Sequence, residues 1–94
     1  VEQARRLVFE ESDFLREQLE QLGYRVYASQ ANYLFFKGEE WLGQALLTEN
    51  VMIRDCSNYP GLTGGYWRIA VKTHKENQRL LSAVRKVREA WQKR

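Results

Sequence analysis

The apolar positions of this chain change period several times, and each change marks an element. From Ala4 to Leu22, the residues Ala4, Leu7, Val8, Phe14, Leu15, Leu19 and Leu22 recur at steps of mostly three and four. That spacing lines one stripe of a helix, so a helix is predicted over residues 1–22. Gly23 follows, suited to the left-handed residue that closes a helix. Tyr24-Arg25-Val26-Tyr27 alternates and predicts a strand, and Ser29-Gln30 reads as a short polar connection. Ala31 to Phe36 is an apolar, aromatic run consistent with a buried strand, broken at Gly38. A shorter helix opens at Glu39-Glu40, with Leu42, Ala45 and Leu46 on one face and its acids where the helix dipole favours them. Asn50 tolerates a left-handed backbone and ends it. Val51 to Arg54 predicts another short strand.

Residues 55–65 hold Asn58, Pro60, Gly61, Gly64 and Gly65 and predict a loop. Tyr66 to Val71 alternates as a strand, with Trp67, Ile69 and Val71 on one face and Arg68 on the other. Thr73 with Glu76 three residues on is a capping-box pattern. It starts a last helix whose buried stripe is Leu80, Leu81, Val84, Val87 and Trp91. Helix, strand, strand, helix, strand, strand, helix predicts an α+β domain: a small, mainly antiparallel sheet with helices packed on it.

Composition narrows this to one unit. With 94 residues and 44% hydrophobic content, the chain can bury one core but not two, so residues 1–94 read as a single domain. Its 13% aromatic content, well spread, argues against disorder. No apolar run approaches the length of a membrane span, and no basic-then-apolar leader opens the chain. The lone Cys56 excludes a disulfide framework and points to a reducing compartment, the cytoplasm. Val1-Glu2-Gln3-Ala4-Arg5-Arg6 carries neither methionine nor helix cap, so we expect the chain to begin inside a helix of a longer protein.

The net charge of +3 is unevenly laid out. Residues 1–22 carry three positive and six negative side chains, residues 23–71 four of each, and residues 72–94 eight positive and two negative. The last stretch, with Arg79, Arg85, Lys86, Arg88, Lys93 and Arg94, has two readings. It is either a patch for nucleic acid or another anionic surface, or the solvated face of an amphipathic helix.

Few residues remain for chemistry. One histidine (His74) and one cysteine cannot build a zinc site, no metal site is expected, and no nucleotide-binding glycine pattern occurs. His74 next to the Thr73 cap reads as solvent-facing. Cys56 is either a reactive thiol near Arg54 or a small apolar filler. Arg68 is the most informative polar residue, because a guanidinium on a rigid strand presents paired donors to a carboxylate or phosphate. Arg54 ends a neighbouring strand, and two such arginines can bind a dianionic ligand. Alternatively both pair with local acids such as Asp55, or lie on an exposed sheet face. Asn32, within the apolar run, either locks local backbone or lines a polar site.

Ser29-Gln30-Ala31-Asn32-Tyr33-Leu34-Phe35-Phe36 resembles the strand motif of histidinol-phosphate aminotransferases. So do Ile53-Arg54-Asp55-Cys56-Ser57-Asn58-Tyr59-Pro60-Gly61-Leu62 and Tyr66-Trp67-Arg68-Ile69-Ala70-Val71. The Arg54-Asp55-Cys56-Ser57 wording is especially similar to the threonine-phosphate decarboxylase branch, and the Glu76-Asn77-x-x-Leu80-Leu81 helix fits as well. The resemblance runs through the whole chain and is to the fold-type I pyridoxal-phosphate enzymes. It implies the C-terminal small domain, with Arg68 on the substrate carboxylate, Arg54 on a phosphate or second anion, and Asn32 beside the site. It further implies an amino-acid or phosphorylated substrate, a large domain of the same protein as partner, and a homodimer, with neither nucleic acid nor membrane involved. Lys72 stands where that family often has glycine, and Trp67 where a smaller aliphatic residue is common.

The same resemblance puts the Schiff-base lysine in a serine-lysine motif of the large domain. Lys37, Lys72, Lys75, Lys86 and Lys93 have no such context. The pyridoxal 5'-phosphate is therefore expected on the large domain, with no catalytic residue, no bound cofactor and no transamination in this chain alone. The rival reading is a stand-alone basic α+β binding module whose affinity falls steeply with salt. A third is a regulatory domain that binds amino acids.

Overall fold

The computed structural model describes residues 2–30, 32–56, 61 and 64–92. The elements are α1 (Glu2–Gln21), β1 (Arg25–Gln30), β2 (Tyr33–Lys37), α2 (Leu42–Leu47), β3 (Arg54–Asp55), β4 (Tyr66–Ala70) and α3 (His74–Gln92). The strands form one antiparallel sheet in the order β1-β2-β4-β3. The expected α+β architecture is therefore present.

Alternation decides the two faces of the sheet. Leu34 and Phe36 of β2 and Trp67 and Ile69 of β4 are buried, while Tyr33, Phe35, Tyr66 and Arg68 between them are half-buried. The buried set joins Leu15 and Leu19 of α1, Leu42 and Leu46 of α2, and Leu81, Ala83, Val84 and Val87 of α3 in one core. On the opposite face Phe35 stacks on Tyr66 with centroids 5.8 Å apart, and Tyr27 packs against both rings. A register shift between Val26 and Ala28 bulges β1 at Tyr27.

The helix ends follow their residues. Gly23 takes φ 93° and Asn50 φ 60°. Each sits in a double-bonded helix closure: Tyr24 N–H donates to Leu19 C=O at 3.0 Å, and Val51 N–H to Leu46 C=O at 2.9 Å. At α3 the Thr73 hydroxyl accepts the Glu76 N–H at 3.2 Å, one half of the expected capping box.

Several boundaries differ from the sequence reading. Ser29-Gln30 pairs with β2 as part of β1 instead of forming a connection. β3 is Arg54–Asp55, with Val51 to Ile53 leading into it outside the ladder. α2 starts at Leu42, not Glu39, because Glu39 is committed elsewhere. Its carboxylate accepts the Tyr24 hydroxyl at 2.6 Å and pairs with Arg88 at 3.4 Å, and its carbonyl accepts the Trp67 indole N–H at 3.0 Å. Leu7, placed in the α1 stripe, is 62% exposed. A 20-residue helix rises about 30 Å, whereas a strand of five or six residues spans roughly 17–20 Å, so the first half of α1 overhangs the core. Trp91 is 40% exposed and stacks on Trp41 at 4.6 Å instead of entering the core. Val1, Ala31, Ser57 to Pro60, Leu62, Thr63, Lys93 and Arg94, some of them in the motifs above, lie outside the described residues.

Candidate functional site

The strand period that buries Trp67 and Ile69 turns Arg68 to the other face. In the β3–β4 ladder Arg54 is the direct register partner of Arg68. Residues so paired carry Cβ atoms about 4.5–5.5 Å apart, and like charges there repel. Among the described residues neither arginine forms an ion pair, so pairing with a local acid is not what holds them. The Arg68 guanidinium lies 5.0 Å over the Tyr33 ring, which fixes its direction.

Both arginines line a cavity of about 910 Å³. Asn32, Tyr33 and the segment Asn50 to Ile53 border it, and Lys72, Glu76, Asn77 and Arg79 close it from the β4–α3 turn and α3. All three residues proposed from the sequence thus come together. Asn32, however, is exposed in the β1–β2 turn and not buried within the strand. Its carbonyl accepts the Val71 N–H at 2.8 Å, so its backbone ties the turn to the end of β4 while its side chain stays at the cavity rim.

Sequence reasoning missed Tyr33, Lys72, Asn77 and Arg79. Tyr33 was legible, since it shares the face of Phe35 by alternation. Lys72 and Arg79 belong to the cationic stretch, Lys72 in the turn after β4 and Arg79 in the second turn of α3, and only the fold shows that both line the cavity. Arg85 donates to Gln18 at 2.8 Å, Lys86 pairs with Glu49 at 3.1 Å, and Arg88 donates to the Leu22 carbonyl at 2.6 Å. Those three cations are engaged within the chain. Lys72 and Arg79 form no ion pair among the described residues and face the cavity, where Glu76 is the one carboxylate among the described lining.

Cys56 is fully buried with its thiol 3.9 Å from the Arg54 carbonyl, so it fills space and does not line the cavity. His74 is half-exposed, as expected, and its Nδ1 lies 2.8 Å from Glu11 Oε2, tying α3 to α1 away from the cavity. Lys37 lies over the Tyr66 ring at 4.8 Å and, like Lys72, Lys75 and Lys86, is exposed. Among the described residues no helix is long and apolar enough to cross a membrane.

A family model described as aminotransferase class I and II matches residues 1–84. The threonine-phosphate decarboxylase of Salmonella typhimurium is 45% identical over 65 residues, covering 66% of this chain and 18% of that protein. The histidinol-phosphate aminotransferase of Xanthomonas euvesicatoria is 43% identical over 84 residues, covering 85% of this chain and 23% of that protein. Among solved structures, the histidinol-phosphate aminotransferase of Clostridium acetobutylicum superposes with a TM-score of 0.79 at 32% identity, covering 86% of this chain and 26% of that one. The L-threonine-O-3-phosphate decarboxylase of Porphyromonas gingivalis gives a TM-score of 0.76 at 28% identity, covering 85% and 26%. The chain therefore spans about a fifth to a quarter of the length of these relatives.

Proposed function

The chain belongs to the class I and II aminotransferase family, and from that premise we propose that it is the substrate-anion-binding C-terminal domain of a longer pyridoxal-phosphate enzyme. The enzyme is of the histidinol-phosphate aminotransferase type and acts on an amino acid or a phosphorylated amino acid or amino alcohol. It works as a cytoplasmic homodimer, with the cofactor and its lysine on a large domain. The family's cofactor, when bound, supplies the electron sink.

This chain's part is to hold and aim the substrate. Arg68 takes the α-carboxylate through its two parallel N–H donors, braced from below by Tyr33. Arg54 takes the phosphate or other second anion, and Asn32 edges the site. Fixing the anionic groups converts an encounter into an oriented complex and keeps water out of the contact. The observation that carries the reading is the in-register pair of arginines, without an acid partner among the described residues, on one cation-rich cavity. A second reading, a decarboxylase of the threonine-phosphate type, is favoured by the 45% identity to the Salmonella enzyme.

The test is kinetic, in the full-length protein. Truncating one partner of a buried arginine–carboxylate pair costs about 2–5 kcal/mol, and the half-buried Arg68 belongs at the low end of that range. Arg68→Ala is expected to lower kcat/KM by about tenfold or more, and unchanged kinetics remove the assignment. Arg54→Ala is expected to penalise phosphorylated substrates more than unphosphorylated ones. Equal loss on both refutes its role.

A further inference from the structure

Beyond Arg68, β4 is held in the sheet on one flank only. Its ladder with β3 consists of Arg54↔Arg68 and Asp55↔Trp67, while its ladder with β2 runs on to Tyr33↔Ala70. Past that point the Val71 N–H donates to the Asn32 carbonyl at 2.8 Å, which ties the strand end to the β1–β2 turn. Asn32, Lys72 and Asn77 all line the cavity, so the place of this strand end decides where that wall of the cavity stands.

Asn77 fixes the strand end. Its side chain is buried, with the residue 1% exposed. The side-chain oxygen accepts the Lys72 N–H at 3.0 Å, and the amide nitrogen donates to the Lys72 carbonyl at 3.0 Å. One amide thus clamps the Lys72 backbone on both sides, and it does so in only one of its two orientations. Glu11 of α1 sets that orientation. Its Oε1 accepts from the Asn77 amide nitrogen at 2.9 Å, and a carboxylate has no donor to offer in return, so the nitrogen must face it. The Glu11 side chain is 18% exposed, and its Oε2 lies 2.8 Å from His74 Nδ1. Glu11 does not itself line the cavity.

Resting on the reading of Arg54 and Arg68 as the anion-holding pair, we propose that Glu11 is a positioning residue for that site. It acts through the Asn77 amide on the Lys72 backbone, and from there on Asn32 and on the end of the strand that carries Arg68. This relay differs in sign from plain electrostatics. Removing a carboxylate near a cationic site strengthens anion binding by Coulomb's law, whereas removing a positioning group weakens it.

The experiment is titration calorimetry on the full-length protein carrying this chain. The probe is 2-carboxyethylphosphonate, which has a carboxylate, a second anionic group and no amine. Glu11→Ala is expected to bind it about tenfold more weakly than wild type. Glu11→Gln keeps an acceptor for the Asn77 amide and is expected to stay within about twofold of wild type. His74→Ala cuts the other tie of Glu11 to α3 but leaves the Asn77 clamp intact, and is also expected to stay within about twofold. Wild-type or tighter binding by Glu11→Ala overturns the relay. So does a loss of the same size in Glu11→Gln, which marks an effect of charge, or in His74→Ala, which marks a general loosening of the two helices. Arg68→Gln reads the underlying assignment separately: it is expected to weaken the probe by about tenfold. Unchanged binding in that variant overturns the arginine reading and the relay with it, whereas a loss there beside an unaffected Glu11→Ala overturns the relay alone.

Discussion

Gly43 sits inside α2 with the indole of Trp67 directly over it. A Cβ added there would lie 2.5 Å from Trp67 Cη2 and 2.6 Å from Cζ3, where ordinary carbon contacts are about 3.5–4.0 Å. The ring would have to retreat by about 1 Å. It is 6% exposed, and its N–H is bonded to the Glu39 carbonyl at 3.0 Å. Gly43→Ala therefore sets two effects against each other. Helix propensity favours alanine by about 1 kcal/mol. Overpacking costs roughly 1–3 kcal/mol, and weakening the indole hydrogen bond adds about 1 kcal/mol. The clash wins, for a net loss of about 1–3 kcal/mol.

Urea unfolding of the 94-residue chain followed by tryptophan fluorescence and circular dichroism reads this directly, as a lower midpoint at unchanged slope. The control is a double-mutant cycle. In a Trp67→Phe background the two crowded ring atoms are gone, so Gly43→Ala is expected to be neutral or stabilising there. A stabilising Gly43→Ala in the wild-type background, or the same loss in both backgrounds, refutes the argument that the indole sets the sign.

The remaining predictions follow the same logic. Asn77→Ala removes three hydrogen bonds from a buried site and is expected to cost about 2–3 kcal/mol in urea unfolding; a loss below ~0.5 kcal/mol contradicts the clamp. Burial first, then the hydroxyl bond to Glu39 and the Glu39 charge, push the Tyr24 phenol above its ordinary value of 10.0, against the opposing pull of Arg88. Above that pH the unfolded chain releases a proton that the folded chain keeps, so stability is full below about pH 10 and falls as pH rises, by up to about 1.4 kcal/mol per unit. Tyr24→Phe is expected to flatten that alkaline decline relative to wild type, and parallel curves speak against it. Arg54→Gln relieves a like-charge register pair and is expected to raise chain stability by about 0.2–1 kcal/mol at low salt, the gain shrinking as salt is added; a destabilised variant contradicts the repulsion.

What the sequence made legible depended on how local the cause was. Gly23 and Asn50 end helices through their own backbone freedom, and both were readable. The faces of β4 followed from period two, which is why Arg68 was found before any geometry was known. The start of α2 was not readable. Glu39 looks like a favourable helix-start acid, yet Tyr24, Arg88 and Trp67, distant in sequence, compete for it. The same holds for Asn32, whose burial depended on where the β1–β2 turn fell. Asn77 entered only as part of the helix pattern that carries the resemblance; its role was not readable, because an asparagine in a polar first turn reveals nothing of Glu11, 66 residues away.

The two arginines tie the proposed anion site to the core. A one-residue slip of β4 would exchange its faces, sending Trp67 and Ile69 out and Arg68 in. Burying such side chains contributes about 1.5–3 kcal/mol each, more than the roughly 0.2–1 kcal/mol by which opposed like charges destabilise a strand pair. The core therefore fixes the register, and the register forces Arg54 and Arg68 side by side. On the proposed reading, their repulsion in the free chain is relieved when the anionic groups of a ligand settle on them. Part of the affinity for that anion and part of the instability of the free domain are then one energy, measured from two states. On this argument, a variant that stabilises the free domain by removing Arg54 loses affinity by at least the same amount.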